Sequence, residues 1–280
     1  MFPTATKRVS TTALVLALVL FASACAAFRA TDPNGPRPDV RLYPVGLADP
    51  AGRLEEASVA WNQLAQRYGL TDRPQVNLDP HTATVQSLPA NLATPIHLPK
   101  VGEAEQTEEQ TRESLRRFIA EWQRLIGAEP DELSLVERVD EPSGIKVARY
   151  EQRPFRYPLR GGYGNLTIRF RSDGQLVSLS SNCLPNAERL QSTLAAVNPQ
   201  VTGEDAVNKL KEQSITTGQQ TITLPANAVL EPRQLVVYAL PPPGQTGGLE
   251  LHLAWEIDVT NGPVKTVYFD AVSSQVIAVA

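Results

Sequence analysis

The chain has three histidines and two cysteines, the residue types that most often carry metal, acid–base or nucleophilic chemistry. His81, His97 and His252 sit in "DPHTA", "PIHLP" and "ELHLA", and none has a second histidine at the i, i+4 spacing that presents two imidazoles to one zinc ion. A serine or cysteine nucleophile needs a base brought to it, and no G-x-S-x-G elbow is present. "RGGYGN" at Arg160–Asn165 is glycine-rich, but it lacks the Lys-Ser/Thr of a phosphate loop and leads into a strand, so it reads as a turn. The acidic run "GEAEQTEEQTRE" around Glu103–Glu113 falls where a helix begins; carboxylates there complement the helix dipole without any metal. His252 alternates with Leu251 and Leu253 and reads as a structural histidine facing solvent or the opposite layer from its neighbours. Trp61, Trp122 and Trp255 occupy apolar positions and read as core, and Cys183 reads as a small buried hydrophobe. No catalytic, cofactor-binding or metal-binding residue is assigned, and no cofactor is expected.

The elements that hold these residues follow a recurring plan. Asp49-Pro50 opens a first helix, with Leu54, Ala57, Trp61, Leu64, Ala65 and Tyr68 at helical spacing until Gly69; a short hairpin with Val76, Leu78, Val85 and Leu88 follows. Thr107-Glu108-Glu109-Gln110 has the form of a capping box and begins a second helix whose apolar face includes Leu115, Phe118, Ile119, Trp122, Leu125 and Ile126, stopped by Gly127. Strands are predicted at 133–139, 145–152, 165–171 and 176–181, with Ser143-Gly144 and Asp173-Gly174 as turns. A third unit starts at Thr202 with Asp205, runs through a short helix, and continues in strands at 234–240, 249–259, 264–269 and 276–279. Each unit closes on an acidic tight turn, at Asp79, Asp173 and Asp270. The predicted class is α+β, with helices packed on antiparallel sheets in repeated helix-plus-hairpin units.

The first residues combine Lys7 and Arg8, an apolar run from Ala13 to Phe21, and the small residues Ala22, Ser23 and Ala24 before Cys25, a secretory signal pattern. The ending resembles a bacterial lipobox, with Ala22 where Leu is usual, and this implies that Cys25 becomes a lipidated N-terminus; plain secretion with cleavage near Ala24 or Ala27 is the alternative. With Cys25 lipidated, Cys183 has no partner and no intrachain disulfide is expected. The Pro-, Gly- and Asp-rich segment after Cys25 reads as a tether. Net charge is −4, and without Lys7 and Arg8 the mature chain is more acidic still, which argues against nucleic acid.

Further along, "GIKVARYEQRPFRYPLRGGYGNLTIRFRSDGQLVSLSSNCLP" from Gly144, with Tyr150-Glu151-Gln152 and Asp173-Gly174, resembles the propeptide module of thermolysin-like metalloproteases. "VTGEDAVNKL", "LAWEIDV" and "YFDAVSSQV" are similar to the PepSY domain that follows it in those precursors. Ala83 and Ser274 stand where the D-x-x-T-G turn has glycine, so positive φ is costly there and the turn is expected to differ or to be strained. "RPFRYPLRGGYG" is richer in Pro and aromatics than the pattern and reads as a surface private to this chain. The zinc protease with its H-E-x-x-H does not follow, so the resemblance implies a fold and a regulatory role without catalytic residues.

The expected organisation is a signal peptide over 1–24, a lipidated tether over 25–48, a propeptide-like domain over 49–190 and a PepSY-like domain over 198–280. The expected protein is a non-enzymatic lipoprotein of the cell envelope, anchored to the membrane by lipid and facing periplasm or exterior. It binds a protein partner, inhibiting or chaperoning an extracytoplasmic peptidase; the alternative is an envelope scaffold or small-ligand-binding module. The last strand, ending at Ile277–Ala280, either completes its sheet or offers an edge to that partner.

Overall fold

The computed structural model describes residues 43–47, 49–70, 74–90, 92–102, 107–212, 215–217, 220–245 and 247–280. The expected signal segment, Cys25, most of the expected tether and the acidic residues at 103–106 lie outside them. In chain order the elements are β1 (Val45–Leu47), α1 (Pro50–Arg67), β2 (Asn77–Leu78), β3 (Val85–Ser87), α2 (Glu108–Glu121), α3 (Gln123–Ile126), β4 (Leu133–Asp140), β5 (Ile145–Gln152), β6 (Leu159–Arg160) and β7 (Asn165–Arg171). They continue with β8 (Leu176–Ser181), α4 (Ala187–Ala195), α5 (Gly203–Glu212), β9 (Ile215–Thr217), β10 (Gln220–Ile222), β11 (Val229–Leu240), β12 (Leu249–Thr260), β13 (Thr266–Asp270) and β14 (Val276–Val279). The class is α+β, and the described residues fall in one unit, Leu42–Ala280.

The helix starts obey local chemistry. Asp49 accepts the Gly52 N–H at 2.9 Å and Pro50 follows it. Thr107 and Gln110 cap each other's backbone reciprocally, at 2.9 and 3.2 Å, and Thr202 and Asp205 do the same before α5. The buried row of α1 is Arg53, Ala57, Ala60, Trp61, Leu64 and Ala65, so the stripe begins on a charged residue, and Leu54 is only half-buried.

The helices α1, α2 and α3 and the β2–β3 hairpin share one core with the antiparallel sheet β4-β5-β7-β8, through Leu64, Phe118, Leu125, Val85, Leu166 and Ile168 among others. Cys183 is fully buried in that core, and burial pushes its thiol up to about 12, so it is a packing residue. The second sheet runs β14-β13-β12-β11-β6, with β1 also paired to β12. Leu190 and Leu194 of α4 pack on it beside Val237 and Leu251, and Ala206 and Leu210 of α5 beside Ile257 and Phe269. Between the sheets, the Gln152 side chain replaces a missing strand partner: its Nε2 donates to the Leu184 carbonyl (3.0 Å) and its Oε1 accepts the Leu184 N–H (2.7 Å).

Two turns share one geometry. At Asp79 and Asp270 the aspartate N–H donates to the carbonyl five residues on, Thr84 (2.8 Å) and Gln275 (2.7 Å), and its carbonyl accepts from the fourth, Ala83 (2.8 Å) and Ser274 (3.1 Å). Oδ1 of each also accepts the next two free N–H groups: His81 and Thr82 in one turn, Val272 and Ser273 in the other. The geometry is kept despite the missing glycines, for Ala83 and Ser274 both sit at φ +60°. The Asp173 turn is different. There Gly174 takes φ +83° and donates to Arg171, the same arrangement that Gly144 makes with Glu141. A tight turn into a short strand therefore closes all three units, and the aspartate hydrogen-bond pattern belongs to the first and third only.

Ala83 combines positive φ with 3% exposure. Ala83→Val adds a β-branched side chain at the worst place for one, and urea unfolding should show a loss of about 2–3 kcal/mol. Ala83→Gly relieves the strain, raises unfolded-chain entropy and deletes one buried methyl, and should stay within about 1 kcal/mol of the parent.

Candidate functional site: the polar face of the large sheet

Strand β12 alternates strictly. Leu249, Leu251, Leu253, Trp255, Ile257 and Val259 share one face, against the helices. The period of two therefore sends Glu250, His252, Ala254, Glu256 and Asp258 to the other. The register sets Tyr238 opposite His252, Gln234 and Tyr268 opposite Glu256, and Asp270 opposite Ala254. Two polar clusters result.

Asp270, fully buried, lies at the centre of the first. Its Oδ2 accepts from Tyr43 Oη (2.8 Å) and from His252 Nδ1 (2.7 Å), and its Oδ1 from two turn N–H groups. Burial alone would raise this carboxyl; the hydrogen bonds from His252, Ser273, Val272 and Tyr43 outweigh it and hold the pKa below the ordinary aspartate value. Burial first, and the Asp270 charge second, push the Tyr43 hydroxyl well above its ordinary range. Tyr43 also accepts the Leu253 N–H at 3.0 Å and sets its ring edge-on to His252, 5.7 Å between centroids. An aspartate on Nδ1 orients a histidine as it would a general base. At Nε2, however, the neighbouring polar group is the Glu250 carboxylate at 3.6 Å, and Nε2 has no hydrogen-bond partner among the described residues. The imidazole is thus held between two carboxylates, Asp270 on Nδ1 and Glu250 near Nε2.

In the second cluster Glu256, whose side chain is 6% exposed, accepts from Arg160 Nε (2.9 Å) and Gln234 Nε2 (2.7 Å), with the Tyr268 hydroxyl at 3.4 Å. Burial would raise its carboxyl, but Arg160 and Gln234 pull it below the ordinary glutamate value. Tyr238 and Tyr268 lie 4.5 Å apart, ring tilted on ring.

Arg160 comes from the segment 153–165, which leaves the small sheet at β5, lays β6 parallel to β11 and returns at β7. A Cβ at Gly161 would overlap the Ala239 carbonyl oxygen, so only glycine permits this close approach. The segment roofs a cavity of about 730 Å³ lined by Phe155, Tyr157, Tyr163, Tyr238, Tyr268 and Arg156 among others. Arg156 stands 5.4 Å over the Tyr157 ring. The Gly-rich run is a turn, as read from sequence, and it builds the wall of this cavity.

The other residues singled out in the sequence lie apart. His97 is in an isolated bridge with Gln175, and His81 faces the Gly248 carbonyl at 3.0 Å. Trp61 and Trp122 are core, and Trp255 is partly buried with its indole N–H on Val201. Asn165 bonds the Gly162 carbonyl at the start of β7. Among the described residues no three His, Cys, Asp or Glu side chains converge as metal ligands, and no helix is long and apolar enough to cross a membrane. Asp270 and Tyr43 were missed as site residues; the signal was the D-x-x-T-G-like turn, read only as a turn. Against known proteins, the chain matches no family model and no curated sequence.

Two predictions follow from the clusters' charges. Because Asp270 and Glu256 titrate below their ordinary values in the folded chain, the stability they supply is complete above about pH 5 and is lost as pH falls through their folded pKa values. Asp270→Asn should lower stability at pH 7 and flatten the acid limb, as measured by denaturant unfolding from pH 7 down. Arg160→Met strands a buried carboxylate and should cost about 2–3 kcal/mol, whereas Arg160→Met with Glu256→Met should recover most of it; a double-mutant cycle reads the difference.

Proposed function

We propose that the chain is a non-enzymatic envelope lipoprotein, anchored through lipid on Cys25, whose propeptide-like fold binds a protein partner, an extracytoplasmic peptidase that it inhibits or helps to fold. The observation that carries the reading is the aromatic cavity under segment 153–165, beside the edge strand β6. Aromatic side chains with an arginine, presented on a turn fixed by glycines, are the usual anchors for a partner chain. The matching turns at Asp79 and Asp270 support the finer description of the fold as repeated helix-plus-hairpin units of PepSY type, since one hydrogen-bond pattern recurs at corresponding places. Facing periplasm or exterior, such a protein needs no cofactor and no nucleic acid. The same cavity favours the second reading, a small-ligand-binding or scaffold module, because its volume suits a compact ligand.

The full chain should slow peptide hydrolysis by a co-expressed thermolysin-like metalloprotease, or raise its refolding yield. Phe155→Ala with Tyr157→Ala should weaken the complex by at least about tenfold. If the chain neither slows, refolds nor co-elutes with the protease, the peptidase reading is wrong; a small molecule co-purifying with the parent and lost from the double variant would establish the second.

A further inference from the structure

A second cavity, about 480 Å³, lies among α1, the Asp79 turn, α3 and the start of α4. Its floor contains Arg53, Thr82, Ala83, Ala128 and Ala187, all buried, and its rim carries Arg124 and Arg189 together with exposed acids including Glu56 and Glu129. Arg53 is 9% exposed, on the core-facing row of α1. One guanidinium nitrogen, Nη2, donates to the His81 carbonyl at 3.1 Å, while Nε and Nη1 are buried without a hydrogen-bond partner among the described residues. The carboxylate that acts on Arg53 is Asp49, which is already bonded to the Gly52 N–H. A buried guanidinium with two idle donors calls for an anion.

The same cavity receives the start of α4. Asn186 stands at its N-cap with φ +56° and makes no side-chain capping bond, so the first-turn N–H groups at 187–189 are offered to the cavity that Ala187, Glu188 and Arg189 line. The acids on the rim weigh against a multiply charged anion such as phosphate. They suit a ligand that brings one carboxylate to the arginine and one ammonium to the rim. We propose that this cavity binds a zwitterionic α-amino acid or short peptide, its carboxylate on Arg53 and the α4 N-terminus and its ammonium toward the rim acids. The site is separate from the aromatic cavity and does not depend on the peptidase reading.

Calorimetric titration of the full chain tests it, with L-alanyl-L-alanine, its C-terminal amide, its N-acetyl form and inorganic phosphate as probes. The free dipeptide should bind, and the amide and the acetylated form should each bind at least about tenfold more weakly. Arg53→Gln should lose the dipeptide by at least about tenfold while keeping its far-ultraviolet spectrum. Should Arg53→Gln fail to fold, the exposed rim pair Glu56→Gln and Glu129→Gln, which the proposal sets against the ammonium, supplies the reading, with a loss of several-fold expected. No heat from the dipeptide at about 10 mM, equal affinity for the amide, phosphate binding as tightly as the dipeptide, or undiminished binding by Arg53→Gln or by the rim-acid pair would each overturn the proposal.

Discussion

The carboxylate of Asp270 is the interaction on which the large sheet depends. A charge taken out of water must be matched by donors, and this one accepts from four: two turn N–H groups, His252 and Tyr43. The four donors come from three separate pieces of the chain. The turn N–H groups fix the β13–β14 connection, His252 belongs to β12, and Tyr43 brings in the segment that precedes β1. One buried anion thus joins the first described residues to the last strands, across more than 200 positions of sequence.

The alternation of β12 makes this economical. A strand that is apolar at every second position can face helices with one side and carry titratable groups on the other. Glu250, His252 and Glu256 do so, and each is engaged by a neighbour on the sheet or by Arg160 from the 153–165 segment. That segment is therefore structural as well as exposed: Arg160 neutralises Glu256, and β6 extends the sheet where β11 would otherwise end unpaired.

The sequence was most legible where the signal is local. Capping pairs such as Thr107 with Gln110, the glycine stop at Gly127 and most alternating strands depend on neighbours a few residues away and fold where the pattern places them, although β11 begins at Val229 rather than 234 and β13 at Thr266 rather than 264. It was least legible where tertiary partners decide. Helix α4 is only nine residues long, with Ala187, Leu190 and Leu194 as its buried residues, so its periodicity is too brief to register. The buried row of α1 begins on Arg53, whose Nη2 donates to the His81 carbonyl, and nothing in the local pattern distinguishes Arg53 from a solvated charge. Strand β6, two residues in a Pro- and Gly-rich stretch, exists only because β11 lies beside it. The Asp173 turn looked like its two counterparts because its composition is alike, yet glycine at position 174 admits a shorter connection than alanine or serine at the fourth position does.

Strand β14 shows how the same constraints end the fold. Val276 and Val279 turn to the α5 core, while Ala278 and Ile277 join Tyr268 and Tyr238 on the polar face, so four residues serve both sides of the sheet. Ala280 donates to the Thr266 carbonyl and accepts from Lys265 and Thr266, which closes the ladder with β13. The outer side of β14 is short, and β9 lies against it, so little of it is left as a bare edge for strand addition. The opposite margin is different: β6 covers only Val237 and Tyr238 of a twelve-residue strand. A partner seeking backbone hydrogen bonds would find more of them beside β6, next to the aromatic cavity, than beside the last strand.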